Sequence, residues 1–293
     1  MRPLRATLRS VLPPLVAILL ILVAWESYSR IVLGAIPGGA RLLPAPTRIA
    51  EELINNLDVM APHIAQTLYE TLIGFLLALI IGLGFAVIID LSPLLRRAIY
   101  PLLVVSQAVP VLAVAPLLVL WFGFGVLPKV LVVALVCFFP IVVAEADGFR
   151  SVDPELTKLF RTFGAGKWTI FRYVRLPGAL PSLFSGIRIA ITYSVIGAIW
   201  GEYIGAQWGL GIFMKRAQNA NQVALVFAAI FVIVVMSLAL FLLASVIERI
   251  AIPWRFSSLR RWRLPQKRHQ PDLRPNRPPT GYKPSHTLGG KRP

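Results

Sequence analysis

Residues 71–89 read TLIGFLLALIIGLGFAVII, a run of 19 residues without a single charge. An α-helix needs about 20 mostly apolar residues to cross roughly 30 Å of hydrocarbon. A second uncharged run extends from Gln222 to Ile247. Working outward from these two, the pattern predicts six spans: 11–33, 67–89, 98–121, 126–144, 183–203 and 222–247. The span at 183–203 carries Arg188 near its start and Glu202 near its end. Across all 293 residues, 57% are hydrophobic and 15% charged, and the mean hydropathy is +0.73. Soluble domains carry about 25% charged residues, so a water-soluble domain is excluded, and so is disorder over most of the length. The chain reads as an all-α polytopic membrane protein with about six transmembrane helices.

Charge is lopsided, with 30 Lys+Arg against 13 Asp+Glu and a pI near 11. A long apolar chain with basic ends fits a membrane better than a nucleic acid. The one cysteine, Cys137, permits no internal disulfide, and three histidines leave little room for a metal site. Arg2, Arg5 and Arg9 precede the apolar run Val11–Trp25 in the manner of a secretion signal. However, Trp25, Glu26, Ser27 and Tyr28 follow with no small-x-small cleavage pattern, so an uncleaved first helix is expected. With the N-terminus inside, eleven Lys+Arg fall on inner segments and six on outer ones, the C-terminal tail excluded. That bias places both termini in the cytoplasm. The chain then divides into an N-terminal segment 1–10, a membrane domain 11–253 and a basic, proline-rich tail 254–293. The tail cannot bury enough apolar surface to order itself, and it suits contact with anionic lipid headgroups.

The inner loop at 145–182 is too rich in pattern to be a linker. Asp153-Pro154-Glu155 supplies a cap, a proline at the first helical position and an acid facing the helix dipole. Leu156, Leu159, Phe160 and Phe163 follow at i, i+3, i+4 and i+7, an apolar stripe. Gly164 stands where a left-handed glycine would end this helix. A second short helix is predicted over 167–175, stopped by Leu176-Pro177 because proline disfavours helix in the preceding residue. Such a hairpin either lies on lipid or inserts apolar residues into the groove of a cytoplasmic partner.

The run Lys158-Leu159-Phe160-x3-Gly164-x9-Val174-x-Leu176-Pro177 resembles the EAA loop of bacterial ABC importer permeases, written EAA-x3-G-x9-I-x-LP. Leu43-Pro44-Ala45-Pro46-Thr47, Ser106-Gln107-Ala108-Val109-Pro110, Leu120-Trp121-Phe122-Gly123-Phe124-Gly125 and Gly201-Glu202-Tyr203-Ile204-Gly205-Ala206 look like that family's nitrate, sulfonate and vitamin-precursor branch. The similarity covers roughly residues 42–252. It implies a type I ABC importer permease fold with a cytoplasmic coupling loop formed by Lys158, Leu159, Phe160, Gly164, Val174, Leu176 and Pro177. It further implies a second copy of the chain, a separate ABC ATPase subunit and an extracytoplasmic substrate-binding protein. Such a chain binds no cofactor itself, ATP being used by the partner subunit, and is a transport subunit of the bacterial inner membrane rather than an enzyme. Its small-molecule substrate is expected to be riboflavin or another heteroaromatic vitamin or precursor, with sulfonates, taurine or nitrate as the alternative. The sequence departs from the family at the triplet, where Lys158 stands in place of the acid and reverses the charge.

Other features carry less. Phe163-Gly164-Ala165-Gly166-Lys167-Trp168 lacks both the first glycine and the Ser/Thr of a phosphate loop. Gly197, Gly201, Gly205 and Gly209 recur every four residues, a ridge suited to close helix packing. Glu202 is a candidate for the translocation pathway because an acid in a span is costly. Gln107 is the second candidate, since Gln107, Pro110 and Pro116 interrupt the third span and broken helices often border binding sites. Arg188 is expected to snorkel, and His63 to be a polar residue of an outer loop. An intramembrane enzyme would need a nucleophile–base or metal set inside the spans, where no histidine falls. A stand-alone secondary transporter would show internal repeats, and none is convincing. Reporter fusions after Pro46 and near Trp208 should read as external, and one near Gly164 as cytoplasmic. An external reading at Gly164 would invert the topology.

Overall fold

The computed structural model describes residues 2–36 and 42–255, so the tail expected at 254–293 lies outside the described residues from 256 onward. The membrane unit ends at Pro253. Among the described residues every regular element is helical, which is how a chain satisfies its backbone groups inside hydrocarbon. Helix α1 (Arg2–Ser27) runs into a π-helical turn at Tyr28–Leu33. There follow α2 (Pro46–Asn55), α3 (Leu57–Leu91), α4 (Pro93–Ser106), α5 (Val111–Phe122) and α6 (Leu127–Ser151). After them come α7 (Pro154–Thr162), α8 (Lys167–Ile170), α9 (Leu176–Gly205), α10 (Leu210–Asn219) and α11 (Val223–Ala251).

Five segments are long and apolar enough to cross a membrane: Leu12–Leu33, Leu57–Asp90, Leu127–Ser151, Lys167–Gly205 and Val223–Ala251. The sixth expected span, 98–121, is not one helix. It breaks between Ser106 and Val111, because Pro110 lacks the N–H that would continue α4 and instead sits at the N-terminal boundary of α5. Pro101 and Pro116 are accommodated inside their helices. The second span begins ten residues earlier than expected, at Leu57 instead of 67. A helix tolerates Asp58, His63 and Glu70 on faces that the apolar count does not distinguish.

Helix α6 is the centre, packed between α3 and α9. Hydrocarbon supplies no hydrophobic drive between helices, so close van der Waals approach over small residues must hold them. A Cβ added at Gly186 of α9 would lie 2.6 Å from the Ala144 Cβ and 2.9 Å from the Pro140 carbonyl oxygen. One added at Gly201 would lie 3.1 Å from the Lys129 Cα, and one at Gly74 of α3 would lie 2.5 Å from the Val133 Cβ. Between these contacts, Phe75, Cys137, Ile141 and Val195 are buried in one core. The four-residue glycine ridge is therefore used at Gly197, Gly201 and Gly205. Gly209 does not belong to it, because α9 ends at Gly205.

Gly186→Ala should cost about 1–3 kcal/mol by overpacking, read as a lower thermal midpoint in detergent. Gly84→Ala, at an exposed helical position with nothing within 4 Å of the added Cβ, should be neutral or slightly stabilising.

Candidate functional site

The loop resembling a coupling element forms at one end of α6 and α9. Asp153 caps α7 by accepting from the Glu155 N–H at 2.8 Å, and Pro154 opens the helix. Gly164 adopts φ +76°, which a side chain would resist. The Gly164 N–H donates to the Arg161 carbonyl at 2.9 Å, and that of Ala165 to Phe160 at 3.0 Å. That pair of bonds is the Schellman termination.

The second half departs from expectation. Residues Lys167–Ile170 are helical, Phe171–Arg175 form a π-helical turn, and α9 starts at Leu176 without a break. Pro177 lies in the first turn of α9, where its missing N–H is tolerated. The wider π turn takes up the misfit that would otherwise stop the helix. The short helix is thus a rigid extension of a spanning helix.

The two halves differ in burial. No residue of α7 is buried; Leu159 is 48% exposed and Phe163 80%. Lys158 is exposed on the same helix, whereas Phe160 is half-buried. Ile170 and Val174 are buried; the Trp168 ring stacks on Phe171 at 5.6 Å, and Phe171 meets Phe149 in a tilted pair at 5.7 Å. Leu176 and Pro177 are half-buried at the junction. Asp90, at the end of α3, accepts from Arg175 Nη1 at 2.5 Å and from Arg96 Nη2 at 2.6 Å. One buried carboxylate therefore ties the loop to α3 and α4.

Opposite charges also meet farther along α9. Arg188 Nη1 pairs with Glu248 of α11 at 2.6 Å, with Glu248 buried. It does not snorkel, because a buried acid on the neighbouring helix offers a better partner than the interface. The expected loop start at 145 is corrected: Glu145-Ala146-Asp147 lies within α6, which continues to Ser151.

At the far end of the bundle a polar clamp holds the α9–α10 connection. Glu202 is fully buried; its Oε1 accepts from Thr67 Oγ1 at 2.6 Å and its Oε2 from the Gly211 N–H at 2.5 Å. Thr67 Oγ1 in turn accepts from the Leu210 N–H at 2.8 Å. Gly209 takes φ +127°, and a Cβ there would collide with the Glu202 carboxyl. His63, expected in a loop, is a buried residue of α3 whose Nδ1 accepts from the Gly209 N–H at 3.0 Å. Of the two pathway candidates, Glu202 stands inside this clamp, and Gln107 stands exposed where α4 ends. They are not brought together. The motif around Pro46 ties α1 to α2: Thr47 Oγ1 donates to Glu26 Oε1 at 2.8 Å and accepts from Arg30 Nη2 at 2.8 Å.

Sequence reasoning missed Thr67, Asp90 and Glu248. Asp90 directly follows the uncharged run 71–89, and an acid bounding a span beside a basic loop was the available signal. Nothing in the sequence pointed to Thr67.

A bundle of spanning helices around a tight three-helix centre, with an apolar-faced hairpin at one end, defines a polytopic helical membrane protein. Residues 71–254 match the family described as binding-protein-dependent transport system inner membrane component. The chain belongs to this family, the permeases of ABC importers. It is 37% identical over 245 residues to the formylaminopyrimidine transport permease protein of Halalkalibacterium halodurans, covering 83% of this chain and 96% of that one. It is 37% identical over 244 residues to the riboflavin transport system permease protein of Chloroflexus aurantiacus, covering 83% and 90%. Identity to the taurine transport system permease protein of Escherichia coli is 29%, over 72% and 80%. The fold is similar to that of an inward-facing MetNI methionine ABC transporter chain, with a TM-score of 0.59 at 18% identity, covering 66% of this chain and 96% of that one.

Thr67→Val should leave the Leu210 N–H unpaired and remove a donor from Glu202, at about 1–3 kcal/mol for each stranded group. Thermal unfolding in detergent should show the loss, and Thr67→Ser should restore most of it.

Proposed function

We propose that this chain carries a small heteroaromatic vitamin or vitamin precursor into the bacterial cytoplasm. Two copies form the pathway, a separate ATPase docks beneath the α7–α8 hairpin, and a binding protein delivers substrate from outside. The observation that carries the reading is the unequal burial of the hairpin. Leu156, Leu159 and Phe163 are left uncovered by their own chain, and exposed apolar patches mark interaction sites. Behind them Ile170, Val174 and the Arg175–Asp90 pair bind the hairpin to α9 and α3. A push on α7 is therefore delivered to two spanning helices, which is what coupling to ATP hydrolysis requires. A bistable bundle biased by that partner gives alternating access.

The substrate class rests on the relatives. Identity is 37% to the formylaminopyrimidine and riboflavin permeases, against 32% and 29% to sulfonate and taurine permeases. Sulfonate, taurine or nitrate import is the second reading. Both termini lie in the cytoplasm in this scheme. Lys158 stands on the exposed side of the hairpin, where in this scheme it presents its reversed charge to the ATPase.

Gly164→Val should misdirect α8, and Phe163→Asp should place a charge where a groove expects a ring, with an uncompensated desolvation cost. Because nothing lies within 4 Å of a Cβ at Gly164 and Phe163 is 80% exposed, both variants should insert normally. Co-purification of the ATPase and uptake in vesicles should fall at least tenfold. Normal docking and uptake by both would mean that the hairpin rests on lipid.

A further inference from the structure

At the end of the bundle away from the hairpin, a cavity of about 300 Å³ opens between the α5–α6 turn, the start of α6, α3 and the α9–α10 connection. Its side-chain walls are Gln66, Phe124, Val126, Lys129, Gln207 and Trp208. The volume sits at the lower end of the range for small-molecule sites, about 300–1,000 Å³.

The chemistry of that wall is selective. Lys129 is 5% exposed, and an ammonium so withdrawn from water needs a partner. Glu70, fully buried behind it, accepts from Lys129 Nζ at 3.0 Å and from Gln66 Nε2 at 2.7 Å, both on Oε1. The Glu202 carboxyl lies within electrostatic reach of both Glu70 and Lys129. One ammonium thus faces two buried acids, and the cavity offers no net positive charge to an anion. It does offer neutral recognition. Lys129 has three N–H donors and spends one on Glu70, while Gln66 keeps its carbonyl oxygen and a second N–H. The Gln207 carboxamide stands at the rim, its backbone carbonyl held by Arg216 at 3.2 Å. Two ring walls complete the set. Trp208, 54% exposed, lies against His63 at 5.2 Å, and Phe124 is 82% exposed.

We infer that this cavity is a binding site, on the permease itself, for a small uncharged heteroaromatic ring. The ring face lies on Trp208 or Phe124, and its nitrogen and amino edge meets Gln66, Gln207 and Lys129. A sulfonate is rejected, because the Lys129 ammonium is already neutralised by the buried Glu70 carboxylate and an added anion would find no net positive charge. The size suits a one-ring heterocycle better than a three-ring one. This site rests on the importer reading and narrows its substrate class.

The test is equilibrium binding of radiolabelled formylaminopyrimidine to the purified permease–ATPase complex, without binding protein. Saturable binding at one site per permease chain is expected, weakened at least tenfold by Gln207→Ala and by Gln66→Ala. Co-elution of the ATPase with each variant reports that the permease is folded, and Gln207→Ala changes a rim side chain that holds no other element. Taurine at the same concentration should not compete. Absence of saturable binding, unchanged binding in both variants, or competition by taurine would overturn the site. Uptake by proteoliposomes containing the complete transporter separates the cavity from the importer activity. Pyrimidine import with no binding at this cavity removes the site and keeps the importer; failure to import any heterocycle removes the proposed substrate class.

Discussion

The approach of α6 to α3 and α9 is closer than any β-carbon allows at Gly74 and Gly186. Lipid tails are as apolar as leucine, so close contact, helped by buried polar pairs such as Lys129–Glu70, holds these helices together. The rest follows from that closeness. Helices packed on backbone slide poorly and move as a body, so whatever happens at one end of α9 is felt at the other. The apolar surface left over on α1 and α11 faces outward, with Leu20 63% and Ile250 75% exposed, and needs no partner but the membrane.

Polar side chains then do at the ends what glycine does in the middle. Asp90 gathers Arg96 and Arg175 at the hairpin end, and Glu202 gathers Thr67 and Gly211 at the other. Each is an acid withdrawn from water and satisfied by groups from different elements, so each specifies an arrangement rather than adding much stability. The hairpin itself follows the same logic. Its second half is bound to the bundle through Ile170, Val174 and Arg175, while its first half turns away at Gly164.

The spans and the hairpin were legible because they rest on local signals. An uncharged run of 19 residues, a cap at Asp153 and a glycine at 164 act within a turn or two of themselves. The break at 107–110 was half legible: Pro110 announced an interruption, but whether the chain kinks or starts a new helix depends on packing against α6. The continuity from α8 into α9 was not legible, since Leu176-Pro177 is a stop signal that only the π turn before it overrides. His63, Thr67 and Glu248 were hidden for another reason. Their partners lie 146, 135 and 60 positions away, and no periodicity carries information over such separations. Glu202 was picked out by cost alone, which marks a residue as special without saying what satisfies it.

Cys137 is the only thiol in the chain, and it lies fully buried at the centre of α6 with its Sγ 3.2 Å from the Ala190 carbonyl oxygen. Its burial gives the protein a silent background for site-directed labelling. A reporter cysteine placed on α7 or beside the far-end clamp could carry a spin label or a fluorophore without removal of the native one. Because Cys137 packs where α6 meets α9, leaving it in place also spares the contact on which such distance measurements would depend.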